Sequence, residues 1–203
     1  MRFHTVLERP AVYRVKSRLL SLGRRSVFRY LEAIAAAAPP GPVLDVACGP
    51  GEHVGAFSQP VFAVDTNRRY LEYAARHHAA RFGVMDATRM AFGGEAFALV
   101  FAVGLCHHLA DDAVRAVARE MRRVVRPGGR AVIVEGVYPP YRLHPGTWLF
   151  RLDRGAHTRT RASITALVES EGFSPAVRNL PGSFPYHRAV FAFEKPVAGV
   201  KTL

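Results

Sequence analysis

Within residues 43 to 51, an acid lies inside a short apolar run, and two closely spaced glycines follow it. The apolar residues on both sides of Asp45 predict a short buried strand. Gly49 and Gly51 follow it, and glycine lets a backbone turn tightly and approach a ligand where a Cβ would collide. A helical pattern is predicted from about Glu52. Strand, turn and helix start would together form a nucleotide cradle at the carboxyl end of a parallel strand.

A second acid, Asp65, ends the next apolar stretch and lies 20 residues after Asp45. An acid at this spacing reaches the ribose hydroxyls of an adenosine that is held by the first turn. A dinucleotide fingerprint would place a third glycine where Val54 stands, and the carboxylate of Asp45 would repel a pyrophosphate. That carboxylate suits an ammonium or a sulfonium instead. The predicted ligand is therefore an adenosine with a cationic tail, which describes S-adenosylmethionine.

These motifs resemble those of class I S-adenosylmethionine-dependent methyltransferases of the small single-domain type. In that family the first strand and turn follow the pattern acid-x-Gly-x-Gly-x-Gly, and here they are Asp45-Val46-Ala47-Cys48-Gly49-Pro50-Gly51. Ala47 replaces the first glycine, and its small side chain is expected to permit close approach. Further matches follow in order within residues 41 to 136, namely Asp65, Asp86, the fourth strand with its loop (97–109) and the turn before the fifth strand (123–130).

The alternation of predicted strands and helices indicates an α/β fold in which a parallel sheet carries helices on both faces. The resemblance implies a Rossmann-like, doubly wound sheet of seven strands that ends in an antiparallel hairpin. We expect one methyltransferase domain over residues 1–203. Its parts are an N-terminal helical extension (1–40), a cofactor-binding half (41–136), a lid and acceptor insertion (137–160) and a C-terminal helix and hairpin (161–203).

The resemblance also implies a role for each residue around the cofactor. Asp65 would hold the ribose, and Asp86 would accept a hydrogen bond from the adenine amino group. The carbonyls near Ala47 and Val103, with Asp45 behind them, would hold the methionine ammonium. The remaining cofactor-binding residues are expected to be Cys48, Gly49, Gly51, Thr66, Ala87 and Leu105.

Methyl transfer from a sulfonium is an in-line displacement, and a hydroxyl or ammonium acceptor must also lose a proton. His107 and His108 lie just past the fourth strand, near the expected sulfonium, and a neutral imidazole can take that proton. The residues alone leave open whether they do so or only line the pocket. His157 and Tyr141 are further candidates. No spacing typical of a metal site was found, so no metal is predicted.

Residues 137 to 160 lack a regular pattern and are rich in aromatic, arginine and histidine residues. Long loops in compact domains are usually functional, and this one follows the fifth strand at the edge where ligands bind. We interpret it as the lid and acceptor pocket, although Trp148 and Phe150 would also suit a structural excursion that fills the core. The leading hypothesis is O- or N-methylation of a small-molecule or lipid-like acceptor.

The net charge of +12 comes almost entirely from arginine. It suits an anionic acceptor, an RNA or an acidic lipid surface, and it equally suits a compositional bias that has no partner. The most basic segment, residues 10–30, could contact a membrane, cover the pocket or pack on the sheet. An RNA methyltransferase and a non-catalytic binding protein with this fold are the two alternatives. The oligomeric state is not predicted.

Two features of the sequence predict a cytoplasmic location. The first ten residues lack the apolar block of a signal peptide, and no apolar run reaches the roughly 18 residues that a membrane span needs. Cys48 and Cys106, the only cysteines, are expected to be free thiols in a reducing compartment.

Overall fold

Seven strands form one sheet in the computed structural model of the chain, which describes residues 24–139, 157–183 and 187–197. The strand order is β3-β2-β1-β4-β5-β7-β6. The first five strands in the chain are mutually parallel, and β7 is antiparallel to both of its neighbours. The expected mostly parallel sheet with a terminal antiparallel hairpin is confirmed. The strands are β1 (Val43–Val46), β2 (Val61–Asp65), β3 (Arg81–Val84), β4 (Phe97–Val103), β5 (Val125–Gly136), β6 (Ala176–Asn179) and β7 (Arg188–Glu194).

Helices cover both faces of this sheet and bury two separate apolar layers. Over the described part of the chain they are α1 (Arg24–Ala37), α2 (Arg68–His77), α3 (Asp111–Val124) and α4 (Arg161–Glu169). On one face, residues of α1 such as Leu31 pack with Phe101. On the other face, Met121 of α3 and Ile164 of α4 pack with Val100. None of the described helices combines the length and apolar character needed to cross a bilayer.

The central position of β4 explains the longest apolar run in the sequence. Six of its seven residues are buried, because the strand lies between β1 and β5 and has helices over both faces. Parallel strands that are covered on both sides need apolar residues at consecutive positions rather than at alternate ones.

The prediction of a helix from Glu52 is wrong. Only one short 3-10 turn, Val54–Ala56, forms there. Only 14 residues join β1 to β2, and Gly55 and Pro60 within them disfavour a longer helix. An irregular loop therefore follows the glycine turn, and within residues 47–60 no long helix directs its dipole at that turn.

The sequence also predicts Asp111 or Asp112 as the N-cap of α3 and residues 127–129 as its stop, and both predictions need correction. Neither Asp111 nor Asp112 caps the helix; both lie in its first turn, and Ala110 occupies the N-cap without a side-chain bond. Asp111 instead accepts hydrogen bonds from Arg159. At the other end, β5 begins directly at Val125, so residues 127–129 belong to the strand rather than to a turn before it.

Several predictions fall on residues outside the described ranges. They are the helical segment before residue 24, the basic residues 10–23, and the interior of the 137–160 segment, which includes Tyr141. The division of the chain into four functional parts stays a prediction.

Candidate functional site

Asp65 connects the two loops at the carboxyl ends of β1 and β2. Its Oδ2 accepts a hydrogen bond from the Gly49 backbone N–H at 2.8 Å, and its Oδ1 accepts one from Asn67 N–H at 2.7 Å. The Cys48 N–H donates to the carbonyl of Val64 at 2.9 Å, which holds the same turn against β2. The carboxylate therefore fixes the backbone of the glycine turn in addition to any contact with a ligand.

Three residues of this turn have a positive φ, and the space around the Cβ position differs among them. Gly49 has a φ of +54°, and a Cβ added to it would meet no protein atom within 4 Å. At Gly51, where φ is +81°, a Cβ would lie 2.9 Å from Cδ2 of His78 and 3.2 Å from Cβ of Ala74. Gly51 is thus required by packing against α2, whereas Gly49 borders open space on the cradle side. Ala47 has a φ of +58° even though it carries a Cβ.

Ala47→Gly should be neutral or stabilising, because the left-handed region costs a residue with a Cβ about 1 kcal/mol. The greater entropy of glycine in the unfolded chain offsets about 0.5–1 kcal/mol of that relief. Urea denaturation would measure the change. The matched control is Ala102→Gly in β4, where φ is negative and the side chain is buried. That variant should lose about 1 kcal/mol or more. An equal loss in both variants would contradict the strain assigned to Ala47.

Asp45 is a deeply buried acid near the carboxyl end of β1. Only 1% of the residue is exposed, and within the described residues its Oδ2 accepts no hydrogen bond. Burial, and then the charge of Asp65, raise the pKa of this carboxyl well above its usual range. In the sheet register Asp45 pairs with Ala63, which places it on the same face as Asp65. A cation bound at the turn would relieve this arrangement, so the residues present fit a ligand with a positively charged tail.

Asp86 lies in the loop after β3 and is exposed. Its Oδ1 accepts hydrogen bonds from the backbone N–H and the hydroxyl of Thr88, both at 2.8 Å, and these bonds lower its pKa. The Met85 N–H donates to the carbonyl of Asp65 at 3.1 Å, so the loop of Asp86 begins beside the end of β2. Of the neighbouring candidates, Thr66 is exposed and Ala87 packs partly into the core.

The remaining donor-side candidates lie near the end of β4 or in the first turn. Val103 is half-buried and Leu105 is buried, and between them Gly104 N–H donates to the carbonyl of Val134. Cys48 and Cys106 are both buried free thiols, as expected. Burial is the main cause that raises the pKa of each thiol, so both stay protonated and contribute packing rather than nucleophilic chemistry.

His107 and Glu135 form a pair at the carboxyl ends of β4 and β5. Nδ1 of His107 lies 2.7 Å from Oε1 of Glu135. The Glu135 carboxylate also accepts the N–H of Cys106 at 2.6 Å and that of Gly136 at 2.8 Å. The His107 side chain is 16% exposed and that of Glu135 is 1% exposed. Glu135 was not among the sequence candidates, although it too ends an apolar stretch, which is one of the two signals that identified Asp65.

The protonation state of this pair follows from its hydrogen bonds. Burial raises the pKa of Glu135, but the charge of His107 and the bonds from His107, Gly136 and Cys106 outweigh it, so the pKa is lowered. An ionised carboxylate can only accept, so Nδ1 of His107 must donate. The basic nitrogen of the neutral ring is then Nε2. A Cβ added to Gly104 would lie 3.5 Å from Cε1 of His107, so the ring packs over the end of β4.

The other catalytic candidates occupy different positions. His108 is exposed, and its ring centroid lies 4.0 Å from that of His107. His157 is also exposed and meets the same loop through its backbone, because its N–H donates to the carbonyl of His107 at 3.1 Å. The structure therefore brings His107, His108 and His157 together.

Comparisons with known proteins identify the family. The family model of a methyltransferase domain matches residues 43–129. The chain is 31% identical over 165 residues to the demethylmenaquinone methyltransferase of Renibacterium salmoninarum, a match that covers 77% of this chain and 68% of that protein. It is 33% identical over 147 residues to the ubiquinone/menaquinone biosynthesis C-methyltransferase UbiE of Cupriavidus necator, with 66% of this chain covered. It spans only 58% of the length of that relative.

A solved structure shares the fold. The geranyl diphosphate C-methyltransferase from Streptomyces coelicolor, in complex with Mg²⁺, geranyl diphosphate and S-adenosyl-L-homocysteine, matches with a TM-score of 0.67. The two chains are 15% identical, and the match covers 85% of this chain and 79% of that one. Sequence and fold agree: the chain belongs to the family of S-adenosylmethionine-dependent methyltransferases.

Proposed function

We propose that the protein transfers a methyl group from S-adenosylmethionine to a small, lipid-like acceptor, at an atom that must lose a proton. The observation that carries the proposal is the pair of His107 and Glu135. It lies at the sheet edge where β4 ends, and β4 is the direct neighbour of β1, which leads into the glycine turn. A donor cradle and a candidate base thus share one edge of the sheet, where open α/β folds bind ligands.

The donor half is assigned to residues of the first two strands and the loop after β3. Asp65 would hold the ribose, Asp86 the adenine amino group, and Asp45 the positive end of the ligand from behind the turn. S-adenosylmethionine supplies an electrophilic methyl group on a sulfonium. The protein's own contribution is to bind and orient both reactants, which supplies much of the rate in such displacements.

The acceptor half is assigned to His107. Its Nε2 would take the proton that the acceptor loses, and Glu135 would hold the ring in the required tautomer and stabilise the imidazolium that forms. A base is needed for a hydroxyl, an ammonium or an activated carbon, and it is not needed for a thiolate or a tertiary amine. The pair therefore favours an acceptor of the first group.

The names of the relatives support a lipid-like acceptor. Two are methyltransferases named for ubiquinone or menaquinone, and the structural neighbour is named for geranyl diphosphate. The words "C-methyltransferase" in two of these names extend the range of acceptor atoms from the expected oxygen or nitrogen to carbon. The 137–160 segment, which follows β5 and returns to the loop of His107, is proposed to form the acceptor pocket.

The test is methyl transfer from labelled S-adenosylmethionine to a panel of acceptors. The panel contains a demethylmenaquinone, geranyl diphosphate, simple phenols and amines, and an RNA. Label in a lipid-like or small acceptor supports the proposal. Label confined to the RNA, together with binding that falls steeply with salt, would replace it with RNA methylation. Cofactor binding without any transfer would favour a non-catalytic protein.

His107→Ala should lower kcat for the best acceptor by about 10²–10⁴-fold, the usual contribution of a general base. Its affinity for S-adenosylhomocysteine should stay unchanged. The matched control is His77→Ala, an exposed histidine on α2 whose ring stacks on Tyr73. An unchanged kcat in the His107 variant would remove this residue from the chemistry.

A further inference from the structure

Arg159 is a buried arginine that belongs to the 137–160 segment but binds the loop of His107. Its side chain is 8% exposed. Nη1 donates to the carbonyl of Cys106 and Nη2 to that of Leu109, both at 2.7 Å. Nε and Nη2 donate to Oδ1 of Asp111 at 2.9 and 2.6 Å. One guanidinium therefore spans the loop from its beginning to the first turn of α3.

The backbone of Arg159 is fixed at the end of β5. It forms a parallel bridge with Val137, and its carbonyl accepts the N–H of Tyr138 at 3.0 Å. Val137 follows the strand that supplies Glu135. Both ends of the 137–160 segment are consequently held beside the base and its carboxylate partner.

These contacts hold the peptide groups next to His107 from several sides. The N–H of Cys106 donates to Glu135, and the carbonyl of Cys106 accepts from Arg159. The carbonyl of His107 accepts from the N–H of His157, whose own carbonyl accepts from Nη1 of Arg159 at 3.0 Å. The backbone that sets the direction of the imidazole is thus held by hydrogen bonds both from Glu135 of β5 and from residues 157–159. A ring that must stay 2.7 Å from Glu135 tolerates little movement of this backbone.

We propose that Arg159 is a positioning residue for methyl transfer: it links the acceptor-side segment to the loop of His107 and keeps the imidazole aligned on Glu135. It acts through the backbone and does not touch the reacting atoms. The inference rests on the proposed function of His107 and adds to it a connection between acceptor binding and base placement. Lysine cannot replace this arginine fully, because a single ammonium does not reproduce the planar fork that reaches three carbonyls and a carboxylate.

The experiment compares Arg159→Met and Arg159→Lys with the unchanged protein. For the Met variant we expect kcat to fall by about 10–100-fold, the loss typical when an outer residue that orients a functional side chain is removed. Affinity for S-adenosylhomocysteine should not change, and the Lys variant should lose less. In ¹⁵N NMR spectra, the His107 ring should be the single Nδ1–H tautomer in the unchanged protein and a mixture in the Met variant.

Arg123→Met is the matched structural control. Arg123 also joins a loop to α3, since its guanidinium donates to the carbonyls of Met90 and Phe92 and to Glu120, away from His107. This variant should lose stability while the His107 tautomer stays unchanged. If Arg159→Met alters only stability, as Arg123→Met does, Arg159 is structural and the proposal is overturned.

The two proposals fail in distinguishable ways. Absence of methyl transfer by the unchanged protein to every acceptor would defeat the proposed function. The tautomer measurement would still decide whether Arg159 positions His107. Where Arg159→Met does not fold, the Lys variant gives the same comparison, because it keeps a positive charge in the buried site. An unaltered tautomer and kcat in that variant would overturn the positioning role.

Discussion

Glu135→Gln is expected to lower kcat by about 10²-fold or more, because a neutral amide no longer fixes the His107 tautomer or stabilises its protonated form. The variant should also be less stable. Glu135 accepts bonds from His107 and from the N–H groups of Cys106 and Gly136, whereas an amide directs its own NH₂ at one of these donors. Each buried donor left without an acceptor costs about 1–3 kcal/mol. Steady-state kinetics and urea denaturation measure the two effects.

The pH dependence of this stability difference has a definite sign. The pKa of Glu135 is lowered in the folded protein, so its carboxylate stabilises the fold fully above the ordinary glutamate pKa of about 4.3. That stabilisation is lost as the pH falls from there through the lower folded value. The difference in unfolding free energy between the unchanged protein and Glu135→Gln should therefore be largest near neutrality and shrink in acid.

Glu120→Gln provides the control for Glu135. Its carboxylate likewise accepts a backbone N–H, that of Met90 at 2.7 Å, and pairs with Arg123. The Glu120→Gln variant should have a lower free energy of unfolding. Its kcat should fall no further than this mild loss of stability explains. Equal kinetic losses in the Glu120 and Glu135 variants would show that destabilisation, and not the tautomer of His107, lowers the rate.

Asp65→Ala is expected to weaken binding of S-adenosylhomocysteine by at least about tenfold, since the ribose hydroxyls would lose the acceptor that we propose for them. The structure adds a second cause. Without the carboxylate the N–H groups of Gly49 and Asn67 lose their acceptors, and the glycine turn is less firmly held. Calorimetric titration measures the affinity, and the melting temperature should fall as well.

Two further variants separate the causes of that loss. Asp65→Asn keeps one carbonyl acceptor and should bind more tightly than Asp65→Ala. Asp112→Ala removes a fully exposed carboxylate on α3 and should leave the affinity unchanged. If Asp65→Ala bound the ligand as well as the unchanged protein, the ribose could not lie at the end of β2.

Much of the fold could be predicted from the sequence because its signals are local. The apolar run over 97–103 has the pattern of a strand buried on both faces, and the glycines and acids mark where strands end. The helix predicted after Glu52 was wrong because helical spacing over a few residues does not outweigh Gly55 and Pro60. The N-cap expected at Asp111 or Asp112 was wrong because both acids lie in the first turn of α3, where Asp111 pairs with Arg159, 48 residues away.

The sequence indicates most residues of the candidate site's donor half and only some of those in its acceptor half. Asp45, Gly49 and Asp65 are close in the chain or have a characteristic spacing. Glu135 meets His107, and Arg159 meets the adjacent Cys106, only through the order of strands in the sheet, at separations of 28 and 53 residues. A single sequence does not show which distant acid or arginine will approach a given histidine. His107 therefore stood beside His108 and His157 as one of several candidates.

Binding of S-adenosylhomocysteine to the unchanged, folded protein, measured by calorimetric titration, tests the donor site most directly. Saturable binding that is weakened by Asp65→Ala and retained by His107→Ala is the predicted result. It would show that the cradle at the ends of β1 and β2 holds the adenosine and that His107 acts later, on the acceptor. Absence of binding by properly folded protein would contradict the assignment of this cradle to a methyl donor.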